Sequence, residues 1–195
     1  MSNIVTIKNF EHLSVEARYA YTLCCLKKAL EYFNLQDPDW HLVLDALWGF
    51  FDCEPMDDIT PRLYLFEDLY MNRPSMPYYR VYTKVSPEPD LDLDTFNRIA
   101  KLYYFSNDTI IFLFYEAYYS FIHEELYSNR FDNSPGTLNN LQLFFDTMEK
   151  HQIPHPIVDW QILNEHTTKD SFHYAGEEKD KKSSKFLKQI RQTFK

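Results

Sequence analysis

SVEARYAYTLCCLKKALEYFN, Ser14 to Asn34, carries the clearest helical pattern in the chain. Large apolar and aromatic side chains recur three or four residues apart along it, as they do on one face of an α-helix. The residues at this spacing are Tyr19, Leu23, Leu26, Leu30 and Phe33. We therefore predict a helix from about Ser14 to Asn34, and similar patterns recur further along the chain.

Three prolines mark further helix starts, because each follows a residue that can cap a helix. Proline is tolerated at the first helical position, where its missing N–H would have no partner, and Asp, Thr or Ser before it can accept a hydrogen bond from the first turn. The pairs are Asp37-Pro38, Thr60-Pro61 and Ser134-Pro135. Short turns between helices, such as the one before Pro38, place the helices side by side.

These signals predict an all-α fold, a single-domain bundle of about six or seven helices. After the first helix, the predicted ones run from Pro38 to about Phe51, from Pro61, from Asp92 or Asp94 to Phe105, from about Thr109 to Ser128, from Pro135 to about His151, and over KFLKQIRQTF near the end. The second helix is expected to bury Leu42, Leu44, Leu47 and Trp48. A proline-rich stretch around residues 72–91 favours a long irregular connection.

The chain is predicted to divide into a helical body, residues 1–175, and a tail of the same domain, residues 176–195. The tail combines a charged linker, GEEKDKKSS, with a short amphipathic helix whose apolar residues recur on one side. These residues are Phe186, Leu187, Ile190 and Phe194. We expect this stripe to dock the helix onto the body.

Composition narrows the classes of function. Only three glycines are present, so a glycine-rich phosphate loop cannot be built. No apolar run is long enough for a membrane span, and MSNIVTIKNFEHL has no signal-peptide pattern. The three cysteines, Cys24, Cys25 and Cys53, fit neither a disulfide framework nor a CxxC metal pair. We expect a cytoplasmic protein with reduced, mostly buried thiols and no cofactor.

FLFYEAYYSFIHEEL, Phe112 to Leu126, is predicted to be a core helix with one narrow polar stripe. Successive side chains turn by about 100°. The turn places His123, Glu116, Tyr127 and Ser120 in the stripe and Glu124 just beyond it. The opposite arc, expected to be buried, holds Phe114, Tyr115, Tyr118, Phe121, Ile122 and Leu126. The simplest interpretation is that the stripe faces water or a neighbouring helix.

The motifs that would place a metal in this chain are incomplete. His123-Glu124 lacks the second histidine of HExxH, and no ExxH pair occurs. The DLDLD run, Asp90 to Asp94, has Thr95 and Lys101 where an EF-hand needs Gly and Glu. His151 and His155 are separated like ligands, but Pro154 and Pro156 break the helix that would align them. No metal site is predicted.

Charge is unevenly distributed along the chain. The net charge is −9, and the segment from Gly176 onward holds seven Lys or Arg against three acids, so the first 175 residues carry −13. Such a body repels nucleic acid and attracts basic proteins. One acidic cluster, DCEPMDD from Asp52 to Asp58, follows the second predicted helix. The residues predicted to contact a partner are Asp52, Glu54, Asp57, Asp58, Glu116 and Glu124.

Two portions of the sequence resemble a known group of proteins. RYAYTLCCLKKALEYF followed by LDALWGF, and the tail SSKFLKQI, are similar to the opening helix pair and closing element of uncharacterised bacterial all-helical proteins, including immunity proteins of polymorphic toxin systems. The resemblance implies a cytosolic protein that binds and neutralises one cognate toxin domain and performs no chemistry itself.

Two other classes of function stay open on the sequence alone. One is an enzyme or a metal-binding helical protein that uses Glu116, His123 and the histidines of the last third, His151, His155, His166 and His173. The other is a regulatory protein that binds a ligand among its many tyrosines. The charge pattern and the resemblance favour a non-enzymatic protein-binding module, whose toxin would be basic and of nuclease type.

Overall fold

The structure is an all-α bundle, as predicted. The computed structural model describes residues 5–48, 98–99, 101–102, 107–118, 135–167 and 181–193. In these ranges the α-helices are α1 Val15–Tyr32, α2 Pro38–Trp48, α3 Asp108–Tyr118, α4 Pro135–Lys150, α5 Trp160–Asn164 and α6 Lys181–Thr193. A 3₁₀ turn, Ile7–Phe10, precedes α1.

Helix α1 lies at the centre of the bundle and packs against α2, α3, α4 and α6. Every residue from Glu16 to Leu26 is buried, which is three turns without an exposed face. The predicted stripe is therefore only part of what α1 buries, although Phe33 at its end is only partly buried. A helix segment that is enclosed on all sides has no solvent-exposed face, so its polar side chains are buried as well.

Arg18 shows how α1 accommodates charge in this position. Its side chain is fully buried. Nε and Nη2 donate to the carbonyl oxygens of Phe10 and Glu11, both at 3.1 Å, and Nη1 donates to Thr137 Oγ1 at 2.9 Å. The guanidinium therefore joins the N-terminal turn, α1 and α4.

The helix starts predicted from Asp37-Pro38 and Ser134-Pro135 are confirmed. Helix α2 begins at Pro38 and α4 at Pro135. The Asp37 Oδ1 atom accepts a hydrogen bond from the Asp39 N–H at 2.9 Å, which is the capping bond expected of that residue.

Helices α1 and α4 end in the same backbone motif, each with a non-glycine residue in the left-handed region. Asn34 has φ 55° and Gln152 has φ 58°. The next N–H donates back to the carbonyl five residues earlier, Leu35 to Leu30 at 2.9 Å and Ile153 to Met148 at 2.8 Å. This is a Schellman motif, in which glycine usually occupies the left-handed position.

Aromatic side chains connect α2 to its neighbours. Trp40 stacks on Phe114 of α3, with ring centroids 5.1 Å apart, and the Tyr19 hydroxyl donates to the Leu47 carbonyl at 2.8 Å. Leu44, Leu47 and Trp48 are buried as predicted. The prediction for Leu42 is wrong, because its side chain is 44% exposed. Trp40 and Val43 face the core instead, which turns Leu42 outward.

Helix α6 docks by its predicted apolar stripe. Phe186, Leu187 and Ile190 are buried, and the helix packs against α1 and α5. Arg191 Nη2 also lies 2.5 Å from Asp45 Oδ1 of α2. The predicted linker was too long, because α6 begins at Lys181 and so includes KKSS, Lys181 to Ser184. These four residues contain neither proline nor glycine to end the helical pattern.

Other predictions fall outside the described residues. These are the end of the second helix near Phe51, the helix from Pro61, the irregular connection at 72–91, the end of the Thr109–Ser128 helix, Cys53 and Phe194. Residues 98–99 and 101–102 are helical, in agreement with the helix predicted to end at Phe105.

Candidate functional site

Of the residues predicted to contact a partner, the structure describes Glu116. It lies on α3 and is half-buried. The others, Asp52, Glu54, Asp57, Asp58 and Glu124, lie outside the described residues, as do Ser120, His123 and Tyr127 of the predicted polar stripe.

The face that α3 turns outward differs from the predicted one. Phe112, Tyr115 and Glu116 are all half-buried, whereas Leu113 and Phe114 are buried. Tyr115 was expected on the buried arc with Phe114, and that prediction is wrong. The outward face is thus rotated toward Phe112 and Tyr115, because α3 presents Ile110, Phe114 and Ala117 to the core.

The described surface of residues 5–167 is acidic, whereas α6 carries lysine and arginine side chains and no acid. Among the described residues before 168, nine Asp or Glu side chains are exposed, against four Lys or Arg. Two of the nine carboxylates form exposed ion pairs, Glu31 with Lys28 at 2.9 Å and Asp45 with Arg191 at 2.5 Å. The excess of negative charge calculated from the sequence therefore reaches solvent in this part of the molecule.

Three histidines of the last third each share a hydrogen bond with a hydroxyl group of another element. His151 Nε2 lies 3.2 Å from Thr109 Oγ1, His155 Nδ1 lies 3.1 Å from the Tyr21 hydroxyl, and His166 Nδ1 lies 2.6 Å from Ser14 Oγ. Each pair joins the segment 151–167 to α1 or α3. Three of the histidines that the sequence offered as candidate ligands thus link elements of the bundle, and His123 and His173 lie outside the described residues.

The Ser14–His166 pair has the atom types of a nucleophile and its base, but its surroundings are structural. Ser14 is 0% exposed and His166 is 1% exposed, so both side chains are shielded from solvent. Ser14 Oγ also accepts from the Ala17 N–H at 3.1 Å, so it caps α1. The His166 ring stacks on Phe186 of α6 at 4.5 Å. The pair therefore anchors three elements.

Residues beside this pair also join the segment before α1 to the segment at the end of α5. His12 Nε2 lies 2.9 Å from Asn164 Oδ1, and the Ser14 N–H donates to the His166 carbonyl at 3.0 Å. Leu13 and Thr167 form an antiparallel β-bridge. We call residues 12–14 and 164–167 the N–C clasp.

Cys24 and Cys25 are buried in α1, as expected for core thiols. Burial raises the pKa of both thiols well above the ordinary value. A thiol acts as a nucleophile in its ionised form, which burial disfavours here. The two residues therefore serve packing.

A surface that the sequence did not predict lies between α4 and α5. Ile157 is 95% exposed, and the neighbouring apolar side chains Val158, Trp160 and Ile162 are partly buried. We call these four residues the 157–162 surface. Its signal in the sequence was the run IVDWQI directly after Pro154 and Pro156, where no helical or strand period stands out.

The elements below the 157–162 surface hold it in place. The Trp160 ring lies 5.4 Å from Phe10 and 5.9 Å from Tyr21. Asp159 caps α5 by accepting from the Gln161 N–H at 2.9 Å. Burial lowers the pKa of His155 below its ordinary 6.5, against an opposing effect of Glu149. Burial thus favours the neutral form of the His155 ring.

Comparisons with known proteins return no match: no family model, no curated protein and no solved structure is similar to this chain. Within the described ranges, no helix combines the length and apolar character needed to cross a lipid bilayer.

Proposed function

We propose that this chain is a non-enzymatic protein-binding module of the immunity-protein type, which neutralises a basic, nuclease-type toxin by covering it with acidic surface. The observation that carries the proposal is the ratio of exposed charges in the described body, nine carboxylates to four Lys or Arg. A surface with this excess attracts a basic partner over several ångströms and disfavours nucleic acid as a ligand.

The histidines and cysteines within the described ranges support the same proposal by their positions. His151, His155 and His166 bond to hydroxyl groups in the bundle, and Cys24 and Cys25 are buried. A protein that competes with nucleic acid for a basic groove needs a folded acidic surface and no reactive group.

The test begins with the neighbouring genes: the proposal expects one directly beside this gene to encode a toxin domain, and an unrelated metabolic operon there would count against it. That toxin domain is then coexpressed with this chain. Wild-type protein is expected to restore growth and to form a complex whose affinity falls as salt concentration rises, because screening weakens attraction between exposed charges. Reversing charge at Asp57 and Asp58 is expected to abolish rescue. Circular dichroism and thermal melting of the double variant establish that it still folds.

A matched control reverses two exposed carboxylates, Glu31 on α1 and Asp146 on α4. This variant has the same net charge as the Asp57, Asp58 variant, so it separates a specific contact from overall charge. Equal rescue by all three proteins would remove the Asp52–Asp58 cluster from the interface. Failure of wild-type protein to bind the toxin domain would overturn the proposed function.

A further inference from the structure

We propose that the 157–162 surface is the apolar anchor of the interface, and that its occupant is a basic protein with an apolar pocket that receives the Ile157 side chain. This inference rests on the proposed function and assigns to it a site and a partner chemistry. Three properties of the described residues support it, namely exposure, rigidity and charge.

Exposure is extreme for a residue of this type. Ile157 is 95% exposed, about twice the exposure of the other large apolar residues that reach solvent among the described ranges, Tyr32 at 45%, Leu42 at 44% and Leu143 at 44%. Burying such a side chain in a partner's pocket removes nearly all of its apolar area from water. Trp160, half-buried beside it, belongs to the residue type most enriched at binding hot spots.

Rigidity follows from the neighbours of Ile157. Ile153 and Pro156 are buried, His155 bonds to Tyr21, and Asp159 caps α5. Pro154 and Pro156 each fix one backbone dihedral angle. The side chain of Ile157 is therefore presented on a segment whose backbone is already held, and binding requires little further loss of chain entropy.

Charge determines which partner this surface fits. Glu149, Asp159 and Glu165 are exposed along the flanking segments, with Lys150 the one exposed lysine or arginine among described residues 146–165. Glu149 is close enough to His155 to influence its pKa. An apolar side chain whose flanking segments carry exposed acids is complementary to an apolar pocket with a basic border.

The experiment measures the affinity of the full chain for the inactivated toxin domain encoded beside the gene, by calorimetry. Ile157→Asp is expected to weaken binding by about 30-fold or more, as the loss of a hot-spot residue does. Because the wild-type side chain lies almost wholly in solvent, the variant keeps the bundle's packing, and an unchanged melting temperature verifies this. Ile157→Ala is expected to weaken binding less than Ile157→Asp.

Two matched variants separate the anchor from general effects. Leu143→Asp puts the same new charge on an exposed apolar position of α4 and is expected to leave affinity within about threefold of wild type. Asp159→Asn keeps an oxygen that can cap α5 and removes one border charge. It is expected to lower the association rate and to make that rate less sensitive to salt concentration, with little change in the dissociation rate.

The outcomes distinguish the two proposals. If wild-type protein does not bind the toxin domain, the proposed function is overturned. If wild-type protein binds and Ile157→Asp binds equally well, only the assignment of the 157–162 surface is overturned. A dimer of the chain alone that Ile157→Asp dissociates, with toxin binding unchanged, would assign this surface to self-association and also overturn the inference.

Discussion

Arg18 links three parts of the bundle although it lies on a helix predicted from its apolar residues. Its side chain is fully buried and donates hydrogen bonds to two carbonyl groups and one hydroxyl group. We predict that Arg18→Met lowers the free energy of unfolding by about 3 kcal/mol, since it removes three buried hydrogen bonds and leaves the Phe10 carbonyl with the Leu13 N–H as its donor. Urea unfolding followed by circular dichroism measures the change.

Thr137→Val is the matched control for Arg18→Met, because it removes one of the three contacts and keeps the side-chain volume. A loss of about 1 to 2 kcal/mol is expected. The double variant should lose less than the sum of the two single losses, since both changes break the same hydrogen bond. A loss below 1 kcal/mol for Arg18→Met would contradict the account of Arg18 as a junction.

The buried thiols and phenols predict how stability depends on pH. Burial raises the pKa of Cys25 above the ordinary 9.0 and that of Tyr19 above the ordinary 10.0. The folded protein therefore keeps protons that the unfolded chain releases. The free energy of unfolding is unaffected by these groups below pH 9 and falls as pH rises above it, by up to about 1.4 kcal/mol per pH unit for each ionising group.

Cys25→Ala tests this linkage with reductant present. The substitution is expected to reduce the slope of stability against pH between pH 9 and 10.5, as measured by denaturant unfolding at several pH values. Leu23→Ala, at another buried position of α1, is the control. It creates a cavity that lowers stability equally at every pH, so the slope of stability against pH stays as in wild type. Identical slopes for Cys25→Ala and wild type would contradict the prediction.

At the scale of elements, the ends of α1 and α4 show a cost of having few glycines. Gln152 occupies a left-handed position that is unfavourable for a residue with a Cβ atom. We predict that Gln152→Gly raises the free energy of unfolding by about 1 kcal/mol, measured by urea unfolding. Asn34→Gly is the matched control and should gain less, because asparagine tolerates this conformation better. Destabilisation by Gln152→Gly would contradict the prediction.

Helix positions could be predicted from the sequence because capping and periodicity are local properties. Asp37-Pro38 and Ser134-Pro135 predicted that α2 begins at Pro38 and α4 at Pro135. The rotation of a helix is not local. Trp40 of α2 stacks on Phe114 of α3, and this contact sets which sides of the two helices, those of Leu42 and Tyr115, lie away from the core. The sequence of either helix alone does not contain this contact.

At the scale of the whole molecule, α6 is held by apolar contacts more than by its charge. Ile190 is 1% exposed, whereas the Arg191–Asp45 pair is exposed. We predict that Ile190→Ala lowers the free energy of unfolding by about 2 to 4 kcal/mol and that Arg191→Ala lowers it by less than about 1 kcal/mol. Urea unfolding compares the two, and a larger loss for Arg191→Ala would reverse this ranking.

The candidate site was only partly predictable. The acidic character of the body followed from counting charges, and the described surface agrees with it. The 157–162 surface was not predictable, because the partial burial of Trp160 depends on Tyr21 and Phe10, far away in the sequence. A pattern confined to neighbouring residues does not contain such distances.

The N–C clasp sets the order in which the protein can complete its fold during synthesis. Ser14 and His166 are 152 residues apart. At 5 to 20 residues per second, translating this interval takes roughly 8 to 30 s. During that time Ser14, the cap of α1, lacks its hydrogen bond to His166, and α1 has not yet packed against the later helices of the bundle. The nascent chain therefore depends on late-arriving residues to finish its earliest helix.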